Sequence, residues 1–348
     1  MQAMPETTAP AALVTGATGL VGNNLVRLLV DRGEPTAVYI RPRPQGNGRV
    51  DRSLDELPVK IHEGQLADEV SLERAMEGCR LVVHSAAMVH IGWRHAEAMW
   101  EVNVEGARRV ARAARRAGAK LVHVSSVDAI GLRADGEPAD EETPPGGLLE
   151  CPYVTTKREA EKAVLEEVDR GLDAVIVNPV YMIGPWDWKP SSGRMLLEVG
   201  GGWGSFAPPG ANDFVDVRDV ARGILLAAEH GRVGRRYILG GHRLSYLEAW
   251  KVFARVAGRA EPLATAPPAA VRVAGWFGDL AGAFSRREPA VNSAAARSSL
   301  LPHNFSSARA EQELGYTFRS FEAAAKDAWK WFLDHGYARP ARGAVLAR

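Results

Sequence analysis

Along this chain, short continuous apolar runs alternate with longer segments in which apolar residues return every three or four positions. Leu13-Val14-Thr15 ends in a glycine-punctuated turn, after which Leu25, Leu28 and Leu29 recur at helical spacing, predicting strand, tight turn and helix. The alternation repeats. Residues 36–40, 59–66, 81–84, 120–124 and 172–179 read as strands, and their continuous apolar character is that of parallel strands buried on both faces. Helical patterns over residues 71–78, 100–117 and from 153 onward separate them, which predicts an α/β fold with a doubly wound parallel sheet. Residues 191–210 are Gly-rich and read as a loop around a short helix. Residues 214–221 are expected to return the chain to the sheet, 221–229 form an amphipathic helix, 235–241 another strand, and 244–332 are mostly helical.

Length adds one constraint: 348 residues suit one large core with a dependent lobe. A formal charge of +1 provides no global field for nucleic acid or an anionic membrane, so partners are sought in local sites. The two cysteines, Cys79 and Cys151, lack metal-ligand spacing and fit a reducing compartment. The N-terminus has no basic and apolar leader pattern and no apolar run reaches membrane-spanning length, so a cytoplasmic protein without membrane contact is expected. His84, His90 and His95 place no pair at i, i+4 and no carboxylate completes a ligand set; no metal is expected, and His84 reads as a core histidine. Arg108, Arg109, Arg112, Arg115 and Arg116 form one helical stripe, a solvated face or a subunit contact.

The candidate chemistry starts at Gly16-x-x-Gly19-x-x-Gly22, preceded by Thr15 and enclosing Thr18, Leu20 and Val21. Gly16 permits the turn, Gly19 lets backbone approach a pyrophosphate, and Gly22 lets the helix pack on the strand, with the anion at the helix N-terminus. The residue ending the second strand then discriminates between cofactors. Arg41, supported by Arg43, suits the 2′-phosphate of NADP, and the acid that would hold the ribose of NAD is missing there; the alternative is NAD above a solvated basic loop. Downstream, Ser125-Ser126 sits at a strand end, and Tyr153 and Lys157, four apart, share one helical face, where an ammonium can stabilise a phenolate.

In this order and spacing the motifs resemble the extended short-chain dehydrogenase/reductase (NAD-dependent epimerase/dehydratase) family, in its dihydroflavonol-reductase-like and hopanoid-associated sugar epimerase-like branch. The resemblance spans about residues 11–335 and is weakest over 190–212 and 258–300, where the substrate would be chosen. It implies a Rossmann-type doubly wound domain (residues 11–180 and 214–242) and a smaller, mostly helical substrate lobe (181–213 and 243–335). It further implies reversible hydride transfer, with Tyr153 exchanging the proton, Ser126 bonding the substrate oxygen, Lys157 also holding the nicotinamide ribose, and Asn103 organising the active-site hydrogen bonds. Ala86 and Ala87 would lie beside that ribose, and Leu66, Asn178 and Pro179 would also border the cofactor. Gln65 stands where relatives usually carry Asp facing the adenine. Candidate substrate contacts are His90 and Trp93 as a pocket wall, Trp186 and Trp188 as stacking rings or as packing between lobes, and Arg236 as a diphosphate contact or a surface arginine. The implied partners are a small-molecule substrate and a second copy of the chain. Two enzyme readings follow, an NADPH-dependent ketone or aldehyde reductase and a nucleotide-sugar epimerase or dehydratase that retains NAD; the third reading is a cofactor-sensing protein without chemistry.

Overall fold

Alternating side chains on each central strand divide two hydrophobic cores between the faces of one sheet. On one face Val14, Val38, Val83, Val122 and Val175 are buried; on the other are Leu13, Ala37, Val82, Leu121 and Ala174. Strict two-residue alternation into two apolar layers explains why the strands read as continuous apolar runs. The computed structural model describes residues 11–42, 52–285 and 288–340, so Arg43 lies outside the described residues.

In chain order the elements are β1 (Ala12–Thr15), α1 (Leu20–Asp31), β2 (Thr36–Ile40), β3 (Lys60–Glu63), α2 (Glu69–Met76), β4 (Leu81–His84) and α3 (Ala96–Met99). A π-helical turn over Trp100–Glu105 leads into α4 (Gly106–Ala117), followed by β5 (Lys120–Val124), a 3-10 turn (Val127–Ala129), α5 (Pro152–Val168) and β6 (Ala174–Pro179). Next come β7 (Tyr181–Ile183), α6 (Gly193–Gly200), β8 (Phe206–Ala207), β9 (Ala211–Asp216), α7 (Val217–His230), β10 (Arg236–Leu239) and β11 (His242–Ser245). The chain ends with α8 (Tyr246–Val256), β12 (Ala264–Thr265), α9 (Pro268–Ala283), α10 (Ser293–Ser298), α11 (Ala308–Leu314) and α12 (Phe321–Asp334).

The main sheet is parallel throughout, in the order β3-β2-β1-β4-β5-β6-β10. The order reverses at β1, so the C-terminal ends of β1 and β4 flank a crevice, the usual ligand position in such sheets. The doubly wound parallel sheet expected from the sequence is therefore the observed fold. One expectation is corrected: residues 214–216 do not rejoin the main sheet but belong to β9, the centre of a separate three-stranded sheet between β7 and β11. β10 makes the return instead. A third core, around Phe214, Phe253, Phe321, Trp329 and Phe332, joins this small sheet to α6, α8 and α12.

The arginine stripe of α4 is paired within the chain. Arg109 meets Glu101 at 2.6 Å, Arg112 meets Glu69 of α2 at 2.9 Å, and Arg115 meets Glu167 of α5 at 2.8 Å; Arg108 pairs with Glu166 and Arg116 with Glu73. Glu167 is the one fully buried member, and it also accepts from Arg170 at 2.6 Å. Burial alone would raise its pKa, but the hydrogen bonds from Arg115 and Arg170 hold it below the usual carboxylate value. A carboxylate with a depressed folded-state pKa stabilises the fold above its unfolded pKa, and that contribution is lost as pH falls through the folded value. Glu167→Gln is therefore expected to lower the unfolding free energy by about 1–2 kcal/mol at neutral pH, solvent screening of the arginines keeping the figure low. In denaturant titrations the gap between variant and parent should shrink below about pH 4; a gap independent of pH would assign the loss to packing.

Candidate active site

At the head of α1, two glycines make the backbone approach that a side chain would prevent. Gly16 has φ +71°, and a Cβ there would come within 2.6 Å of the Ala86 amide nitrogen; a Cβ on Gly22 would collide with the Gly16 carbonyl. The β1–α1 turn is thus pressed against the exit of β4. Thr15 fastens the same contact, its hydroxyl 2.7 Å from His84 Nδ1 and its carbonyl accepting from Ser85 Oγ at 2.7 Å. Gly19 is the exposed N-cap of α1, and the amides of Leu20, Val21 and Gly22 follow in the first turn, before intrahelical bonding can satisfy them. A cradle that a Cβ would fill, with free amides at a helix N-terminus, fits a dinucleotide pyrophosphate. Lys189 Nζ donates to Thr18 Oγ1 at 3.3 Å, bringing a cation to this edge. Arg41 follows β2, exposed and without an ion pair among the described residues; Gln65 is also exposed, its carbonyl accepting from the Tyr39 hydroxyl at 3.1 Å, and Leu66 is half-buried. Ala86 and Ala87 leave β4 without bulk.

Ser126 leaves β5 at the sheet's ligand edge. Its hydroxyl donates to Asp128 Oδ2 at 3.0 Å and accepts from the Asp128 amide at 3.2 Å, capping the 3-10 turn. Tyr153 and Lys157 lie on the first two turns of α5, both buried. The spacing predicts an ammonium lowering the phenol's pKa; in this structure Lys157 Nζ donates to the Val124 carbonyl at 3.0 Å, and Tyr153 shifts the other way. Burial pushes the phenol up and the Asp128 carboxylate adds to it, with only the Ser126 hydroxyl opposing. Lys157 is brought down to about 8 by burial, against the pull of Glu161 and Asp128. Beneath this pair, Asn178 Nδ2 donates to the Ser126 carbonyl at 2.9 Å and to the buried Glu161 at 2.6 Å; Pro179 ends β6 next to it, also buried. Asn103, on the π-helical turn, accepts from the Met88 amide at 2.7 Å and donates to the Met88 carbonyl and Thr156 hydroxyl, tying three segments together. Tyr153 itself packs in an apolar cluster with Met99, Cys151 and Val154, against which Met88, Ile91 and Leu149 lie.

The candidate substrate contacts divide. His90 is bound to Glu288 at 2.6 Å, and the Trp93 indole donates to Ser293 at 2.9 Å, so both fasten the segment after β4 to the region around α10. Trp186 and Trp188 pack with Trp331 and His335, and the Arg27 guanidinium lies 3.4 Å above the Trp186 ring; of the two readings the sequence leaves open, these contacts are those of packing. Arg236 is held in place: its Nε donates to buried Glu161 at 2.6 Å.

Three polar residues had no place in the sequence reading. Asp128 stands two positions after Ser126, the spacing of a local cap. Glu161 stands four after Lys157, on the same helical face. Glu288 carried no local signal, because its partners lie 190 or more residues away. A separate groove of about 660 Å³ between residues 132–147 and 301–304 shares no residue with this constellation.

The comparisons with known proteins agree with this geometry. The NAD dependent epimerase/dehydratase family matches residues 12–240. Sterol demethylase protein B of Methylococcus capsulatus is 36% identical over 328 residues, 93% of this chain and 98% of the relative. A putative dihydroflavonol 4-reductase of Synechocystis is 35% identical over 335 residues, 94% and 95% of the two chains. Among solved structures, that of gox2253 superposes with a TM-score of 0.81 at 34% identity, covering 95% of this chain and all of the other. With the glycine cradle, the Ser126–Tyr153–Lys157 set and these matches, the chain belongs to the NAD-dependent epimerase/dehydratase family, the extended branch of the short-chain dehydrogenases/reductases.

Proposed function

We propose that this chain is an NADP-dependent reductase of a carbonyl carried on a hydrophobic, lipid-class molecule. One observation carries the reading: a buried tyrosine, held protonated by burial and by Asp128, sits among Met88, Ile91, Met99 and Leu149. A protonated phenol suits the delivery of a proton to a carbonyl oxygen, and an apolar wall suits a substrate without a sugar diphosphate. The engagement of Arg236 by Glu161 supports the same choice, as does the sterol named for the relative from Methylococcus capsulatus. A bound reduced nicotinamide would supply the hydride.

The chain's residues would do the rest. The amides of Leu20, Val21 and Gly22 hold the pyrophosphate, Arg41 pairs with the 2′-phosphate, and Lys157 holds the ribose. Ser126 and Tyr153 bond the carbonyl oxygen, Tyr153 passing its proton to that oxygen as the carbon is reduced. Asn103 and Asn178 are positioning residues, keeping the exit of β4 and the Ser126 backbone in register with α5.

Titration with NADPH and NADH, followed by NADPH oxidation with a 3-ketosteroid and a long-chain ketone in detergent micelles, tests the reading. Copurification of tightly held NAD, with turnover of a nucleotide sugar and none of these ketones, would replace it with the epimerase or dehydratase reading. Tyr153→Phe should reduce turnover about 10²–10⁴-fold while NADPH still binds; a cofactor sensor would lose nothing. Arg41→Asp should weaken NADPH about 10- to 100-fold and NADH little, as expected for removing a charge-assisted phosphate contact. Asp128→Asn removes the negative charge that raises the phenol, so the alkaline limb of the kcat/KM profile for ketone reduction should move to lower pH. An unmoved limb would separate Asp128 from the titration of Tyr153.

A further inference from the structure

The helix α9 faces two ways. Gly275, Gly278 and Gly282 form one stripe, and a Cβ at each would press on Ala296, on the Val291 carbonyl and, at 3.0 Å, on Pro289. The opposite stripe, Val273, Trp276, Phe277, Leu280 and Phe284, falls within about 100° of the helix circumference. All five are exposed, Trp276 by 59% and Phe284 by 87%. The glycine face lets the helix lie flat on its neighbours, while the residues of the aromatic face belong to none of the buried hydrophobic clusters among the described residues. Just before the helix, Leu263 at 79% and Phe206, on the adjoining β8–β12 pair, add to the exposed apolar surface.

Its charges are arranged to match. The one acid in α9, Asp279, turns inward to accept the Ser293 amide at 3.0 Å. Arg272 of α9 and Arg297 of α10 are exposed and make no ion pair among the described residues. By helical spacing Arg272 falls at the edge of the apolar stripe, so the face is apolar with a cation beside it, a pattern found in helices that lie in the headgroup region of an anionic bilayer. Its 16 residues, about 24 Å long, are too few to cross one. The helix is also tied to the mouth of the active site. Arg94 donates to the carbonyls of Gly282 at 2.7 Å and Ser285 at 3.1 Å, and Asn292 donates to Ile91 at 2.9 Å, beside the apolar wall of Tyr153.

We propose that α9 docks this protein on the surface of an anionic lipid bilayer, placing the apolar mouth beside Tyr153 against the phase that holds its substrate. The inference rests on the lipid-class substrate of the proposed function. Flotation of the full chain with phosphatidylcholine vesicles, with and without about one-third phosphatidylglycerol, tests it. The expected result is binding that is stronger with the anionic lipid and falls with salt. Trp276→Gln combined with Phe284→Gln should reduce partitioning at least tenfold, and Arg272→Glu severalfold, with NADPH binding and the unfolding midpoint unchanged. Equal flotation of parent and variants, or none by either, overturns the proposal; so does a parent dimer that these variants convert to monomer, which would make the face a self-association surface. Failure to float with retained reduction of micellar ketones removes the docking and leaves the reductase. Flotation without any such reduction removes the lipid substrate and leaves the docking.

Discussion

Everything at the ligand edge depends on how closely the β1–α1 turn approaches the end of β4. Gly16 has no room for a side chain beside Ala86, and Gly22 none beside the Gly16 carbonyl. The turn is consequently tight enough for the first amides of α1 to open onto the crevice where the strand order reverses. Thr15, His84 and Ser85 make the approach permanent with hydrogen bonds across the two strands. His84 is wholly buried, and its pKa is brought down to about 3 by burial with Lys157 adding to the effect, so it remains a neutral fastener.

A second layer of polar contacts lies beneath Ser126, Tyr153 and Lys157. From the Ser126 carbonyl, hydrogen bonds run through Asn178 to Glu161 and end at Arg236. An ammonium as deeply buried as that of Lys157 is costly unless a negative group is near. Glu161 is that group, raising the pKa of Lys157 against desolvation. Arg236 in turn compensates Glu161. Arg236, which the sequence leaves as a phosphate contact or a surface arginine, is thereby the counter-ion of the Lys157 counter-ion.

The sheet was legible because parallel strands buried on two faces leave continuous apolar runs, and the cradle was legible because its glycines fall within seven residues of one another. That Tyr153 and Lys157 share the first two turns of α5 was readable for the same local reason. What the sequence concealed was of longer range. Whether Trp186 faces ligand or Arg27, and whether Arg236 faces phosphate or Glu161, depends on contacts across 75 or more residues. Patterns of three and four residues do not encode such contacts. The misplaced return to the sheet has a similar origin: residues 214–216 carry the burial of a central strand, but the sheet they are central to is the smaller one.

The stretch over residues 258–300 was opaque for a different reason. A helix normally announces its packing by turning apolar residues inward. In α9 the inward stripe is glycine, contributing closeness instead of apolar bulk, and the bulk points outward. An amphipathic reading of such a helix inverts its faces. The same inversion gives this end of the molecule its chemical character, because the segment that holds α9 also carries Met88 and Ile91 to Tyr153. One end of the crevice thus carries the backbone amides of α1 with Lys189 beside them, and the other the apolar cluster around Tyr153, which hydrogen bonds of Arg94 and Asn292 tie to α9 and α10. The proposed pairing of a phosphorylated cofactor with an apolar substrate rests on that difference, with Ser126, Asp128 and Tyr153 between the two ends.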